Sequence, residues 1–233
     1  MYGNMFSPEK VQQTLDMLKN EFLKATWETF YVTVLATFFA ILIGLPLGVL
    51  VVVGDKDGIL PLPKWLMSVI NFIINVLRSI PFVILVVVVI PFTRFIIGTA
   101  AGTTASIVPL VIASFPFVAR LVESSLREIN PNIIEMSQSM GASPFQTIVK
   151  VMIPECIPSL ISNFTIAITT ILGYTAMSGI VGGGGLGKIA DTYGRSRFNY
   201  LAMIIAVIFL VIMVQAFQFI GTKLATKSDK RLK

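Results

Sequence analysis

The chain has 233 residues, 55% hydrophobic and only 13% charged, with a mean hydropathy of +0.85. Soluble domains are about 25% charged, so this is the composition of a membrane protein; at ~20 apolar residues per crossing, the length accommodates about five or six spans with their connections. The absence of histidine excludes a Ser-His-Asp triad, a His-ligated metal and a His proton shuttle, and a single cysteine, Cys156, excludes an internal disulfide or a Cys-rich zinc site.

Residues 1–25 read as an N-terminal amphipathic segment. Val11, Leu15, Leu18 and Phe22 recur at helical spacing and predict a short helix lying on the membrane surface. Glu9, Asp16, Glu21 and Glu28 mixed with lysines do not make a cleaved signal peptide. Residues 26–220 form the transmembrane domain, with spans predicted at 30–53, 65–90, 105–122, 159–181 and 198–222. The fold class is therefore all-α, with five transmembrane helices. In the first span, Gly44-Leu45-Pro46-Leu47-Gly48 has a GxxxG spacing, which implies close helix packing and a proline bend. Residues 221–233 are a basic tail.

Five spans put the termini on opposite sides. With the N-terminus outside, the inner segments hold ten Lys and Arg, including Lys223, Lys227, Lys230, Arg231 and Lys233 of the tail. The outer segments hold seven: Lys10, Lys19, Lys24, Arg94, Lys188, Arg195 and Arg197. Basic residues are retained on the cytoplasmic side, so the expectation is a multi-pass plasma-membrane protein with its N-terminus outside and its C-terminus cytoplasmic. The same retention accounts for the net charge of +6 without invoking nucleic acid.

All twelve acidic residues lie outside the span centres. Proton- and sodium-coupled carriers place ionisable or coordinating groups at mid-membrane depth, so ion coupling is disfavoured, although backbone carbonyls can also hold sodium; an ion-coupled amino-acid transporter stays the alternative within transport. An intramembrane enzyme would need a catalytic dyad, and Cys156 has no base beside it. Arg78, within the second span, costs ~3 kcal/mol on insertion scales and must face protein or water. Either the second span bends at Pro81 and Arg78 snorkels or pairs with a carboxylate such as Glu123, or it lines the inner mouth of a polar path. Gly182-Gly183-Gly184-Gly185-Leu186-Gly187-Lys188-Ile189 matches both GxxxxGK and GxGxxG. It follows a membrane helix rather than a strand, and Ile189 replaces the magnesium-binding hydroxyl. It reads as an external loop closing a path or as a turn where backbones pack closely.

The hydrophilic stretch 120–158 is punctuated for two short helices. Asn130 before Pro131 is an N-cap with proline at the first position, and Gly141 can take the left-handed conformation that ends the first helix. Ser143, Pro144 and Gln146 repeat the start signal as a capping box. The second helix carries Phe145, Ile148, Val149 and Met152 on one apolar face until Pro154 stops it. Such a knob packs against its own bundle or docks a cytoplasmic partner through exposed Met136, Phe145 and Ile148.

Here the sequence resembles the integral-membrane permeases of bacterial ABC importers, whose hallmark is E-A-A, then Gly, then I-x-L-P. It reads Glu135-Met136-Ser137, Gly141 and Val151-Met152-Ile153-Pro154. Within that group it is similar to the methionine-importer permeases over about five-sixths of the chain. That similarity lies in Trp27-Glu28-Thr29, Arg78-Ser79-Ile80-Pro81-Phe82, Ile90-Pro91-Phe92-Thr93-Arg94, Gly173-Tyr174-Thr175-Ala176-Met177-Ser178-Gly179 and Gly184-Gly185-Leu186-Gly187. The resemblance implies a type I importer fold, a second permease copy, a pair of ABC ATPase subunits and an extracellular or periplasmic substrate-binding lipoprotein. Methionine is the implied cargo, with no cofactor and no catalytic site in this chain. It also implies a coupling loop at about 123–158, with Glu135, Met136, Gly141, Ser143, Phe145, Ile148, Ile153 and Pro154 meeting the ATPase. Met177, Tyr174, Ser178 and Arg78 are the implied translocation path and gate.

Overall fold

The structure is a computed structural model that describes residues 8–17 and 21–229. Leu18 of the expected amphipathic face, and Lys230, Arg231 and Lys233 of the basic tail, lie outside the described residues. No strand occurs among the described residues. Four helices are long and apolar enough to cross a membrane: α2 (Leu23–Val53), α6 (Ile107–Arg127), α10 (Ile157–Ile180) and α12 (Tyr200–Ser228). The apolar pair α3 (Lys64–Ser79) and α4 (Phe82–Val88), sharply bent at the break between them and followed by α5 (Ile90–Ile97), makes a fifth where it is counted as one broken span.

The break lies at Pro81, where a bend in the 65–90 span is one of the two readings, and it goes further by dividing the span into separate helices. Pro81 has no N–H to donate and forces the preceding residue out of the helical region; Ile80 accordingly sits at φ −80°, ψ 123°, and Pro81 at φ −56°, ψ 135°. α2 runs 31 residues, about 46 Å at 1.5 Å per residue, beyond a hydrocarbon core of ~30 Å. It therefore starts earlier than its apolar stretch alone suggests.

The chain divides into two compact units. One comprises the described residues up to Thr37, Pro81–Val111 and Ile168–Phe217; the other comprises Phe38–Ile80, Ile112–Ala167 and the described residues from Gln218. In the first, Phe22, Leu172, Leu186, Ile189, Ala202 and Ala206 form the buried apolar cluster. The helix α1 (Pro8–Met17) is amphipathic as expected, but it is fastened to the protein through its polar side. Thr14 is buried and hydrogen-bonds Asn199, while Lys10 Nζ donates to the Phe198 carbonyl at 2.9 Å. Leu15, expected to face the membrane, stays exposed.

In the second unit, α2 and α6 pack with almost no space between them. A Cβ on Gly44 would lie 2.8 Å from Val118 Cβ, and one on Gly48 would lie 2.6 Å from Val122 Cβ. The GxxxG spacing in the first span thus removes the side chains that would hold the two helices apart. Val51, Ile74 and Ala119 are buried beside this contact, with Leu47 and Ile70 against them.

The knob is built as its punctuation dictates. α7 (Pro131–Ser139) starts where Asn130 Oδ1 accepts from the Asn132 N–H at 3.0 Å. Gly141 turns the chain at φ +81°. α8 (Pro144–Thr147) starts on a complete capping box: the Gln146 N–H donates to Ser143 Oγ at 3.3 Å, and the Ser143 N–H donates to Gln146 Oε1 at 2.9 Å.

Pro154 does not end the second helix. The backbone widens into a π-turn at Ile148–Met152, passes through α9 (Ile153–Glu155) and continues into α10. The Cys156 N–H donates to Met152 O at 3.3 Å and the Leu160 N–H donates to Cys156 O at 2.8 Å. A π-turn relaxes the ladder where proline withholds its donor, so helical backbone runs almost without interruption from Pro144 to Ile180.

Candidate functional site

The two-helix knob lies within the second unit. Met136, Met140 and Phe145 are 59%, 81% and 73% exposed, and Glu135, Gly141, Ser143 and Pro154 are exposed with them. Ile148 and Ile153 are half-buried. The apolar face expected on the second helix is split: Met152 is buried, whereas Phe145 and Val149 project outward. The angle between the helices is held by Ser137 and Thr147, both buried, whose hydroxyls hydrogen-bond at 3.1 Å. Ser137 occupies the second alanine position of the E-A-A pattern; Thr147 had no flag in the sequence.

Beside α7, a cavity of about 540 Å³ is lined by Asp55, Leu126, Arg127, Ile134, Glu135 and Met152 among others. At its rim Arg127 Nη2 donates to Asp55 Oδ2 at 3.0 Å, and this bond holds the Asp55 carboxyl below the usual carboxylate range. Glu123 takes Arg127 Nε on one oxygen at 3.0 Å and Arg120 on the other. Arg120 also donates to Asn71 Oδ1 at 2.8 Å and to Asn75 Oδ1 at 3.0 Å. This network corrects the pairing of Arg78 with Glu123: both carboxylate oxygens are committed to arginines three residues before and four residues after it on α6. That spacing was readable in the sequence. Arg78 is exposed, and its side chain has no hydrogen-bond or ion-pair partner among the described residues.

Of the residues expected at the path and gate, Tyr174, Met177 and Ser178 belong to the first unit and Arg78 to the second. Tyr174 stacks on Phe82 with ring centroids 4.8 Å apart and planes 8° from parallel. Ser178 is buried and donates to Thr175 O at 2.8 Å; Thr175 in turn accepts from Thr33 at 3.3 Å. Met177, one residue from this polar seam, is 46% exposed. The structure thus brings Tyr174 and Ser178 into packed positions on α10 and leaves Met177 projecting. Phe82 and Thr33 complete the cluster, and only the former lay in a stretch the sequence singled out.

The glycine-rich loop is the close-packed turn of the two readings. A Cβ on Gly179 would lie 2.9 Å from Gly187 Cα. The backbone N–H groups that a phosphate loop would offer are taken by α2: Gly185 N–H donates to Glu28 Oε2 at 3.0 Å and Leu186 N–H to Thr29 Oγ1 at 2.9 Å. The helix that follows, α11 (Gly185–Ile189), begins on those bonds. Cys156 is buried and its thiol is pushed up to about 11 by that burial, so it holds no thiolate for chemistry at neutral pH. Among the described residues no cluster of carboxylates and cysteine has the grouping of a metal site.

Residues 44–233 match the family model described as binding-protein-dependent transport system inner membrane component. The probable D-methionine transport system permease protein MetI of Vibrio cholerae is 44% identical over 90% of this chain and 92% of its own length. The D-methionine transport system permease protein MetI of Escherichia coli K12 is 46% identical over 67% of this chain and 72% of its own. Among solved structures, an inward-facing conformation of the MetNI methionine ABC transporter superposes with a TM-score of 0.88 at 43% identity, covering 90% of this chain and 96% of that one. An amino acid ABC transporter at 20% identity, with a TM-score of 0.74, shares the fold.

Proposed function

We propose that this chain, which belongs to the family of binding-protein-dependent transport system inner membrane components, carries methionine across a bacterial membrane as the permease subunit of an ATP-driven importer. It is an inner-membrane ABC permease subunit, not an ATPase. Two copies enclose the path, a separate pair of ATPase subunits works them from the cytoplasm, and a binding protein delivers cargo from outside, where the N-terminus lies. Residues 26–220 are the transmembrane domain, flanked by the amphipathic segment and the basic tail.

One observation carries the coupling. The chain presents a capped two-helix knob with Met136, Met140 and Phe145 exposed, while its nucleotide-like loop has the Gly185 and Leu186 N–H groups bonded to Glu28 and Thr29. A motor's nucleotide state shifts the permease between inward- and outward-open forms only through differential contact energy. The knob, with Glu135, Met136, Gly141, Ser143, Phe145, Ile148, Ile153 and Pro154, is that contact. Tyr174, Met177 and Ser178 form the gate.

Vesicles holding the chain alone are expected to accumulate no methionine under any ion gradient. Vesicles in which it co-purifies with its ATP-binding subunit are expected to accumulate methionine when ATP is supplied on the knob side. Gradient-driven uphill uptake by the isolated chain would overturn the assignment.

A further inference from the structure

Arg78 is a full positive charge in the middle of an apolar stretch, and among the described residues no carboxylate pairs with it. Glu123 is consumed by Arg120 and Arg127, and Asp55 by Arg127. Glu28 is tied to the Gly185 N–H, Glu21 to the Tyr193 hydroxyl, Asp191 to Arg195 and Asp57 to Lys56. An uncompensated guanidinium at this depth costs ~3 kcal/mol even on the mildest insertion scales, so Arg78 turns away from lipid toward water, protein or an anionic visitor.

Its surroundings favour the visitor. Asn75 lies three residues before Arg78, on the same face of α3. Arg120 has donors only, so the Asn75 side chain must turn its oxygen toward Arg120 Nη2, as it does at 3.0 Å. Its NH2 group is left exposed and unengaged. Asn71 is fixed by the same guanidinium but spends its NH2 on the Met67 carbonyl at 2.9 Å. Ser79 donates its hydroxyl to the Asn75 carbonyl at 2.8 Å. The face therefore offers two free donor groups, a guanidinium and an amide, one helical turn apart. The span breaks just beyond them at Ile80–Pro81. An Arg fork matched to two oxygens is the geometry of carboxylate recognition.

We infer that Arg78 and the Asn75 amide bind the α-carboxylate of the amino-acid cargo as it passes through the permease, with Arg120 positioning Asn75. The inference rests on the transport reading above and adds the chemical group recognised and the residues that recognise it.

The test uses the complete permease–ATPase complex, wild type, Arg78→Gln and Arg78→Lys. Saturation-transfer NMR with L-methionine and with L-methioninol, which keeps the side chain and amine but lacks the carboxylate, reads binding directly. Wild type is expected to saturate methionine and not methioninol; Arg78→Gln is expected to lose the methionine signal, and Arg78→Lys to keep part of it. In proteoliposomes, Arg78→Gln should cut ATP-driven methionine uptake by about tenfold or more, and Arg78→Lys by less. Equal saturation of both ligands by wild type, or undiminished methionine binding by Arg78→Gln, would overturn the inference. The binding arm decides it even where the wild type proves unable to pump, which is a failure of the transport reading alone.

Discussion

Replacing Gly141 by alanine separates the geometry of the knob's turn from its packing. Gly141 sits at φ +81°, and a Cβ built on it meets nothing within 4 Å. Alanine therefore fits in space but not in conformation. A left-handed backbone costs an ordinary L-residue roughly 1–2 kcal/mol, equivalent to a roughly fivefold to thirtyfold shift away from the native turn. Asparagine tolerates that conformation and should recover most of the loss. Because the turn lies outside the spans, neither change should alter membrane insertion. The assay is methionine taken up per ATP hydrolysed in proteoliposomes, wild type against Gly141→Ala and Gly141→Asn. Alanine is expected to lower that ratio about tenfold, with hydrolysis persisting, and asparagine to stay within about threefold of wild type. An alanine variant as well coupled as wild type, or an asparagine variant as poor as alanine, would refute the reasoning that the knob transmits through a fixed left-handed turn.

Two further outcomes follow from helix packing and from the charges of the second unit. Gly48→Ala places a Cβ 2.6 Å from Val122 Cβ and 2.5 Å from the Ala119 carbonyl, and overpacking of this kind costs about 1–3 kcal/mol; Gly173→Ala, with nothing within 4 Å, should instead gain up to about 1 kcal/mol of helix propensity. Thermal unfolding of the detergent-solubilised protein should move in opposite directions for the two, and movement in the same direction would refute the packing account. Asp55 is held below the usual carboxylate range by the Arg127 hydrogen bond, so its contribution to stability is complete above an unfolded-state pKa of about 4 and fades as pH falls through the lower folded value. Asp55→Asn should flatten that acid limb in a pH series of melting temperatures, modestly because both partners are about half exposed; an unchanged limb would remove Asp55 from the account.

What the sequence made legible was local chemistry. Asn130, Gly141, Ser143 and Gln146 each act within three or four residues of themselves, and each does in the structure what its position implies. Gly44 and Gly48 announced a close helix contact without identifying α6 as the partner. The failures came where a second element decides. Pro154 reads as a stop, but continuity with α10 and a π-turn overrode it. Arg78 was offered Glu123 because both are charged near the membrane, whereas spacing along α6 had already assigned Glu123 to Arg120 and Arg127. The bonds from Gly185 and Leu186 to Glu28 and Thr29 join residues 157 positions apart, and no local pattern announces them.

The unbroken path of helical backbone from Pro144 to Ile180 has a mechanical meaning. A lever needs no joint where its handle and its far arm are the same rod. Push or twist applied at Phe145 passes along the second unit through hydrogen-bonded turns in series rather than through slack chain, and the widened turn at Ile148–Met152 is a stretch of that rod with room to absorb torsion. Stiffening or loosening those five residues would therefore set how much of each power stroke reaches the cargo.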